Sequence, residues 1–407
     1  MTDAQMRLTR LTIRSFKSLE FVDVALGDIN VFIGANGSGK SNLLEALGLS
    51  SAAASGQVDD QALLRRGVRP GVPASYVSSF KGITSPEPLK ITTTFSSDEG
   101  TVEHEVSRTA AGSADLETSV YIEDTVCASA DGQRRYHGGR VTLLPGAPLR
   151  ISEARAENGG ANMPEVVRDV KDCLYNYGIF APTTPTLRGT VSDFTQREPV
   201  GLAGGQLAVA VRDLLKPRKR KFGTLDLDEL LTLLDWVEQI AVVPPSRAIV
   251  SPSVPTLSDV IRFTDRWMAD DRNLLSAYDA SEGALYVLFA LILALHPKSP
   301  RLFAIEHLDQ NMHPRLARAT VRMFCNLLLK AQPQRQALLT THNPLVLDGL
   351  DLRDDRIRLF TVGRNATGAT RIDRVQVGPE MLKAIEGGLA LSNLWIMGRL
   401  GGAPDLF

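Results

Sequence analysis

The sequence predicts an α/β fold built on a mostly parallel sheet, and three features of the chain support this. An apolar stretch at Ile29–Ile33 runs into a glycine-rich loop and then into a helical pattern at residues 40–49. Two further apolar strands, at Leu302–Ile305 and residues 337–340, alternate with helical segments, as is typical of parallel strands covered by helices on both faces. Residues 89–141 contain short β-rich stretches with hairpin turns, which predicts an antiparallel β-subdomain.

The bulk composition indicates a globular chain and excludes several classes of protein. The 407 residues are 43% hydrophobic, enough for one large two-lobed domain or two smaller ones. The formal net charge is −1, so no global basic field indicates nucleic acid. The three cysteines lack metal-ligand spacing and fit a reducing compartment. Because the start lacks an apolar signal core and the longest apolar run, residues 284–295, is too short to span a bilayer, we expect a soluble cytoplasmic protein.

The strongest motif is a phosphate-binding loop at residues 34–41, which read GANGSGKS and match G-x-x-x-x-G-K-[ST] between a strand and a helix. Glycines let successive backbone N–H groups face the phosphates, and the helix N-terminus adds its dipole. Lys40 is expected to reach the β- and γ-phosphates, and Ser41 to hold Mg²⁺ through its hydroxyl. Phe16 and Lys17, near the first strand, are candidates for the adenine contact. The predicted nucleotide contacts in the loop are Asn36, Gly37, Ser38, Gly39, Lys40 and Ser41.

The whole chain resembles one branch of the ABC-type ATPases. Its Walker A variant, GANGSGKS followed by NLLEAL, is similar to that of the SMC, RecF and OLD families. In the family's order, residues 279–283 resemble a shortened ABC signature, residues 302–314 a Walker B strand with a His-Pro turn, and residues 337–344 a switch strand. The tails at residues 391–395 and 398–402 are similar to those of stand-alone predicted ATPases of bacterial defence operons. The resemblance implies an ABC-ATPase head that uses ATP and Mg²⁺, with two copies sandwiching two nucleotides.

The resemblance also implies a role for each motif residue. Glu306 would anchor Mg²⁺, directly or through water, although the family more often has Asp there. His342, after the switch strand, would sense the γ-phosphate. Ser281 and Gly283 would contact the γ-phosphate of the partner subunit's ATP, with the N-terminus of their helix aimed at that anion. The implied catalytic residues are Glu306, His307 and His342, and the implied metal ligands are Ser41 and Glu306.

The chain departs from this family at His307, where active members have a catalytic glutamate that orients and activates the attacking water. Imidazole accepts that proton only when neutral, and a nearby triphosphate favours its charged form. We therefore hypothesise slow hydrolysis and a long-lived ATP-bound dimer. Asp309 and His313 are possible substitute bases. The other interpretation is that His307 only hydrogen-bonds a neighbouring loop.

The motifs divide the chain into three predicted parts. Residues 1–150 form the N-terminal half of the ATPase head, with Walker A and the β-subdomain. Residues 151–277 form a mainly helical lobe, because leucines recur at helical spacing near residues 225–237. Residues 278–407 form the C-terminal half, with the signature, Walker B and the switch histidine. No heptad run is long enough for an extended coiled-coil arm.

Three functions remain open from the sequence. The leading one is a sensor or regulator in a prokaryotic antiphage or DNA-maintenance complex, acting as a homodimer or higher oligomer with a nuclease or other effector on a separate chain. The alternatives are a RecF-like DNA-repair ATPase and a non-hydrolysing ATP-dependent scaffold. DNA is a possible partner through the basic run at residues 216–221 or a weaker cluster at Arg65, Arg66 and Arg69. A solvated loop would have the same composition.

Overall fold

The computed structural model describes most of the chain, including every predicted nucleotide-binding motif. The described residues are 5–81, 87–98, 100–110, 119–129, 132–143, 165–256, 259–379, 381, 383 and 387–400. The strands are β1 Arg7–Phe16, β2 Leu19–Ala25, β3 Ile29–Ile33, β4 Lys90–Ser97, β5 Gly100–Ala110, β6 Ser119–Ser129, β7 Gly132–Leu143, β8 Ile179–Phe180, β9 Leu215–Lys216, β10 Lys221–Phe222, β11 Leu225–Asp226, β12 Val237–Val243, β13 Val260–Asp265, β14 Leu274–Ser276, β15 Leu302–Ile305, β16 Gln336–Thr341, β17 Ile357–Arg364 and β18 Thr370–Arg374. The α-helices are α1 Lys40–Ala54, α2 Asp60–Leu64, α3 Glu165–Tyr175, α4 Thr184–Leu187, α5 Leu207–Leu214, α6 Leu227–Leu233, α7 Glu282–Leu295, α8 Pro314–Leu329 and α9 Leu391–Ile396. Short 3-10 helices lie at Pro73–Tyr76, Pro217–Lys219 and Pro344–Gly349.

A six-stranded sheet in the order β18-β17-β3-β16-β15-β8 carries the predicted motifs. Its neighbouring strands are parallel except for the antiparallel pair β17 and β18. Thr341 pairs with Ile33, and Ile305 pairs with Leu339, so the carboxyl ends of β3, β16 and β15 meet at one edge of the sheet. The predicted α/β fold with a mostly parallel sheet is confirmed.

The side chains of β3 alternate between two hydrophobic cores. Val31 belongs to the core that contains α7 and α8, whereas Phe32 belongs to the core that contains α1. Because successive side chains of a strand point to opposite faces, a strand covered on both faces is mostly apolar, and the side chain of the one polar residue of β3, Asn30, bonds the backbone of Gly27. The apolar run at residues 284–295 is explained by α7, which is buried along nearly its whole length. Among the described residues, no helix combines the length and apolar character needed to cross a bilayer.

A second six-stranded sheet has the order β2-β1-β4-β5-β6-β7, and each of its neighbouring pairs is antiparallel. This sheet is the predicted antiparallel β-subdomain, which is therefore confirmed. It meets the parallel sheet where the backbone N–H of Thr370 donates to the carbonyl of Ser18 over 2.7 Å. The hydroxyls of the same two residues also lie 2.7 Å apart. The junction lies directly beside the phosphate-binding loop, because Oγ1 of Thr370 also donates to the carbonyl of Ser38.

The middle of the chain differs from the predicted helical lobe. Within residues 165–276, short helices alternate with two small antiparallel sheets, one formed by β9 to β11 and the other by β12 to β14. The leucine-rich stretch is helical only over Leu227–Leu233, and Val237–Val243 is a strand paired with β13. Its β-branched residues favour an extended chain, and the neighbouring strand gives it a partner. The prediction of a mainly helical lobe is therefore wrong, while the domain boundaries stay predictions; residues 151–164 and 401–407 lie outside the described residues.

Candidate nucleotide-binding site

The predicted phosphate-binding loop joins the carboxyl end of β3 to the N-terminus of α1. Gly37 and Gly39 have φ values of 74° and 112°, which residues with a Cβ rarely adopt. A Cβ on Gly34 would lie 2.1 Å from the carbonyl oxygen of Val362, and a Cβ on Gly39 would lie 2.1 Å from Oγ1 of Thr370. The glycines are therefore needed both for the turn and for the close approach of the loop to β17 and β18.

Lys40 points back into this loop. Its Nζ donates to the carbonyl oxygens of Gly34 and Ala35 over 2.7 and 2.8 Å. Burial lowers the pKa of Lys40, although the nearby carboxylate of Glu306 opposes that shift. The Oγ of Ser38 is buried in the same loop and has no hydrogen-bond partner within the described structure. A buried ammonium group and an unsatisfied hydroxyl in a glycine loop at a helix N-terminus form an environment suited to an anion.

Glu306, the predicted Walker B carboxylate, contacts the first turn of α1. Oγ of Ser41 donates to Oε1 of Glu306 across a very short contact. Glu306 follows β15 directly, and its backbone N–H donates to the carbonyl of Phe180 over 2.8 Å, which fixes its position at the sheet edge. A hydroxyl and a carboxylate are oxygen ligands of the kind that Mg²⁺ prefers. In the described part of the chain, His, Cys, Asp and Glu form no cluster of three that could hold a metal by themselves.

Two histidine rings meet beside the Walker B carboxylate. The rings of His307 and His342 are edge-to-face, with centroids 5.4 Å apart. The backbone of His307 has a left-handed φ of 55°, and its N–H donates to Oγ1 of Thr340 over 3.1 Å. Burial lowers the pKa of His307, against the opposing charge of Glu306, so its ring is neutral at pH 7. Its Nδ1 is buried and has no hydrogen-bond partner in the described structure, so this ring nitrogen is free to accept or donate a hydrogen bond at the site.

The two proposed substitute bases lie in different environments. Asp309 is buried, and one of its carboxylate oxygens, Oδ1, lacks a hydrogen-bond partner among the described residues. His313 instead caps the N-terminus of α8, where its Nδ1 accepts from the backbone N–H of Arg315. Because His313 is exposed and already has this structural role, Asp309 is the better placed of the two.

The predicted signature residues lie at the start of α7. Ser281 is exposed and makes no side-chain capping bond to the helix. Gly283 is buried, and a Cβ there would lie 3.1 Å from Cδ2 of Leu316 and 3.3 Å from the carbonyl oxygen of Asn311. Glycine therefore lets α7 begin close to the segment between β15 and α8. The structure brings Ser41 to Glu306 and His307 to His342, whereas among the described residues no hydrogen bond joins Ser281 to the phosphate-binding loop of the same chain.

The candidate adenine contacts form part of the protein core instead. Phe16 is fully buried and stacks on Tyr76 with ring centroids 6.0 Å apart, so its ring has no free face for a base. Nζ of Lys17 bonds the carboxylate of Glu45 on α1, and Nε of Arg69 bonds the other oxygen of the same carboxylate over 2.6 Å. The two cations tie α1 to the turn after β1 and to the segment after α2. Phe16 as an adenine contact is therefore wrong for this structure.

Replacing Glu45 with glutamine should destabilise the fold by about 2 kcal/mol at pH 7, because Lys17 would keep its charge and lose its carboxylate. Burial alone would raise the pKa of Glu45, but the hydrogen bonds from Arg69 and Lys17 lower it overall. A carboxyl with a lowered pKa stabilises the fold above its ordinary value of 4.5 and loses that contribution as pH falls through the folded-state pKa. Urea unfolding should therefore show the difference between the parent and Glu45→Gln narrowing in acid. Glu105→Gln, in the more exposed pair with Lys90, is the matched control and should change stability by less than about 0.5 kcal/mol.

The sequence motifs did not identify Arg364, which lies over the loop. Its Nε donates to the carbonyl of Gly37 over 2.8 Å, and its Nη1 donates to the carbonyl of Gly368 over 2.8 Å. The guanidinium is exposed at the end of β17, next to the apex of the phosphate-binding loop. No local pattern marks it, because the contact depends on β17 pairing with β3 far along the chain.

A row of arginines on α8 was also missed. Arg315, Arg318 and Arg322 are all exposed, and their spacing places them on one face of the helix. None of the three forms an ion pair with a described residue. The amphipathic pattern of α8 predicts such a face, because its buried residues, Ala317 and Val321 among them, alternate along the helix with the exposed arginines.

Two protein families match the chain. Residues 6–119 match the AAA ATPase domain family. Residues 255–348 match a family described as AAA domain, putative AbiEii toxin, Type IV TA system. The first match contains the phosphate-binding loop, and the second contains the signature, Walker B and switch segments.

Curated relatives match over short segments. An uncharacterised protein of Methanocaldococcus jannaschii is 54% identical over 43 residues, which is 10% of this chain and 13% of that protein. The DNA replication and repair protein RecF of Shigella dysenteriae is 54% identical over 43 residues, or 10% of this chain and 12% of RecF. RecF of Leifsonia xyli is 42% identical over 64 residues, or 15% of this chain and 17% of RecF. The chain thus spans well under a fifth of the length of the relatives it matches.

Among solved structures, the SMC head domain from Thermotoga maritima is 15% identical with a TM-score of 0.45, covering 91% of this chain and 100% of that one. An Smc head domain with an extended coiled coil, bound to the C-terminal domain of ScpA and derived from Pyrococcus furiosus, is 10% identical with a TM-score of 0.49, covering 94% and 99%.

The glycine loop and the parallel sheet that presents it agree with these two partial matches, which are both to AAA-type domains. Over 43 residues the chain is also similar to RecF.

Proposed function

We propose that the chain binds ATP with Mg²⁺ at residues 34–41 and hydrolyses it slowly within a dimer. The observation that carries this proposal is the meeting of Lys40, Ser41 and Glu306 at the edge where β3 and β15 end. In this arrangement Ser41 and Glu306 would hold the cation, which when bound neutralises phosphate charge. The hydrogen bond between Ser41 and Glu306 supports the fit, because it places the two oxygen ligands side by side.

The chain's own residues would act in sequence on the nucleotide. Lys40 would exchange its bonds to the carbonyls of Gly34 and Ala35 for bonds to the β- and γ-phosphates. His342 would contact the γ-phosphate from the end of β16. His307 would be the group nearest to the role of the usual glutamate, and its neutral ring could accept a proton from the attacking water. A bound triphosphate would raise the pKa of that imidazole, so proton transfer should be slow.

The proposed dimer follows from the position of Ser281. This residue is exposed at the N-terminus of the fourteen-residue helix α7, and it does not contact the loop of its own chain. A helix N-terminus of this kind attracts an anion, so a second copy could present it to the γ-phosphate. The ATP-bound dimer would therefore complete each site with Ser281 and Gly283 of the partner.

Sedimentation velocity should show the parent protein dimerising with ATP and remaining monomeric with ADP. Ser281→Asp should keep the fold, because aspartate caps helices as well as serine does. The added charge should repel the γ-phosphate and weaken ATP-dependent dimerisation by about tenfold or more. Ser253→Asp, in an exposed loop, is the control. A parent that stays monomeric with ATP, or a Ser281→Asp variant that dimerises like the parent, would contradict the sandwich.

For the cellular role, we propose a cytoplasmic sensor or regulator in a prokaryotic antiphage or DNA-maintenance complex, with a nuclease or other effector on another chain. The match at residues 255–348 to a family described as a putative AbiEii toxin supports the defence setting. The local match to RecF supports the alternative of a DNA-repair ATPase. Measuring ATP turnover with and without DNA in the same experiment distinguishes these roles from a non-hydrolysing scaffold.

DNA binding has two candidate surfaces. In the basic run at residues 216–221, Arg220 and Lys221 already pair with Asp228 and Asp226. The other three cations of the run, Lys216, Arg218 and Lys219, are exposed. The arginine row of α8 is a second exposed basic surface, and phosphate backbones bind such surfaces in a salt-dependent way. Both surfaces support DNA as a partner and stay proposals.

A further inference from the structure

A large cavity lies at the end of the parallel sheet opposite the phosphate-binding loop. Its volume is about 890 Å³, and it is lined by the segments that immediately precede β8, β15 and β16 and by the segment that follows α1. These segments contribute Asn176, Arg301, Pro333 and Gln57. Because α1 has fifteen residues, its rise separates this cavity from the loop by about 22 Å. The cavity is therefore distinct from the proposed ATP site.

Two arginines in the cavity wall form no ion pair with a described carboxylate, and the charge of Asp59 has the weakest influence on the pKa of Arg66. Arg66 is only 5% exposed, and it donates from Nε to Oγ of Ser51 and from Nη1 to the carbonyl of Ala62. Arg197 donates to the carbonyls of Arg65 and Tyr175. All four acceptors are neutral. Burial lowers the pKa of both guanidinium groups to about 10, so both remain charged at pH 7.

The other charges of the wall do not offset them. Lys298 pairs with Glu198, and Arg301 pairs with Asp169, so these cations are matched. Arg65 is exposed and forms no ion pair with a described residue, which leaves three guanidinium groups with Asp172 as the one lining acid outside those pairs among the described residues. A buried charge without a counter-charge is costly, and an anion in the cavity would remove that cost.

Two aromatic rings flank the arginines. The side chain of Phe194 is 98% exposed, and that of Tyr175 is 56% exposed. The guanidinium carbon of Arg66 lies 5.9 Å from the centroid of the Tyr175 ring. An exposed phenylalanine and arginines that line one cavity are the combination on which a nucleobase stacks while its phosphate is held. The volume also falls within the range of small-molecule sites.

We propose that this cavity binds a free nucleotide, distinct from the ATP held by the phosphate-binding loop. Arg65, Arg66 and Arg197 bind its phosphate, and Phe194 and Tyr175 stack against its base. The proposal does not depend on the function of the phosphate-binding loop, because the two sites lie at opposite ends of the sheet.

The test uses full-length Lys40→Ala protein, in which the loop site is disabled, titrated in a calorimeter with each of the four ribonucleoside 5′-monophosphates. At least one should bind with one site per chain, and the matching nucleoside without phosphate should bind at least about tenfold more weakly. Arg65→Ala and Phe194→Ala should each weaken binding by about tenfold. Both positions are exposed, and thermal melts should show that these variants remain folded.

The matched controls are Arg14→Ala and Phe21→Ala. Those side chains form a similar exposed arginine–phenylalanine contact, with the guanidinium 4.5 Å from the ring centroid, on the hairpin of β1 and β2. Their replacement should leave nucleotide binding unchanged. The absence of binding by all four monophosphates at millimolar concentration, or equal binding by the Arg65→Ala and Phe194→Ala variants, would overturn the proposal. Tighter binding of a ten-residue 5′-phosphorylated single-stranded DNA than of every mononucleotide would overturn the assignment to a free nucleotide.

Discussion

Lys40→Ala should lower the affinity for ATP by about a hundredfold or more. Its Nζ is buried at the loop, where it bonds only the carbonyls of Gly34 and Ala35. In a buried environment, one charge-assisted contact to phosphate contributes roughly 1.5 to 3 kcal/mol, and Lys40 is expected to contact both the β- and γ-phosphates. Fluorescent ATP binding, followed by anisotropy, measures the change directly.

The matched control for this prediction is Lys330→Ala, because Lys330 is an exposed lysine at the C-terminal end of α8. It should leave the affinity within about twofold of the parent. A melt of Lys40→Ala should be close to that of the parent, since alanine removes a buried charge whose hydrogen bonds go to neutral carbonyls and whose burial outweighs the attraction of Glu306 and Asp309. If Lys40→Ala bound ATP as tightly as the parent, the loop would not be the nucleotide site.

The parts of the fold that the sequence predicts well are those with local causes. The strand β3, the loop and α1 are contiguous, so the apolar run, the glycines and the helical pattern together determine them. The parallel order also follows, because helices separate β15 from β16 along the chain. The middle of the chain was mispredicted because Val237–Val243 lies next to a leucine pattern, and its pairing with β13 depends on residues more than fifteen positions away.

The candidate site also divides into residues that local motifs predict and residues that only the folded chain brings together. The sequence predicts Ser41 and Glu306 as neighbours, since each follows directly from its own motif, and the structure places them in contact. The pairing of Thr341 with Ile33 then brings His342 to the same edge. The contact of Arg364 with Gly37 could not be predicted, because neither residue lies in a motif that refers to the other. The unpaired arginines of the cavity likewise could not be predicted, because the absence of a counter-charge leaves no pattern in the sequence.

The chemistry of the loop edge also determines which of its groups can act as a base. The carboxylate of Glu306 already accepts a hydrogen bond from Ser41, so it is engaged at the position where the metal would bind. Asp309 has an unpartnered oxygen, but it is buried one turn beyond the histidine pair. His307 has an unpartnered nitrogen and lies next to His342. Among the described residues at this edge, His307 is therefore the position where a change of base should alter the rate most.

His307→Glu should raise ATP turnover by about a hundredfold, because a positioned carboxylate remains ionised beside a triphosphate and contributes the rate factor typical of general bases. The native imidazole is neutral in the free protein, but a bound triphosphate favours its charged form, which cannot accept a proton. The backbone at position 307 has a φ of 55°, which costs a non-glycine residue on the order of 1 kcal/mol. Glutamate and histidine share this cost. Steady-state phosphate release with saturating ATP and Mg²⁺ measures the rate.

His307→Gln is the control that separates the base from the shape of the side chain. Glutamine has nearly the size of glutamate and the same backbone cost, yet it cannot accept a proton, so turnover should not rise above the parent rate. Sedimentation with ATP should show that dimers of His307→Gln last at least as long as those of the parent, since slower hydrolysis prolongs the ATP-bound state. A parent rate equal to that of His307→Glu would show that histidine already serves as an efficient base. In that case the slow-hydrolysis proposal fails, while ATP binding at the loop remains supported by the Lys40→Ala result.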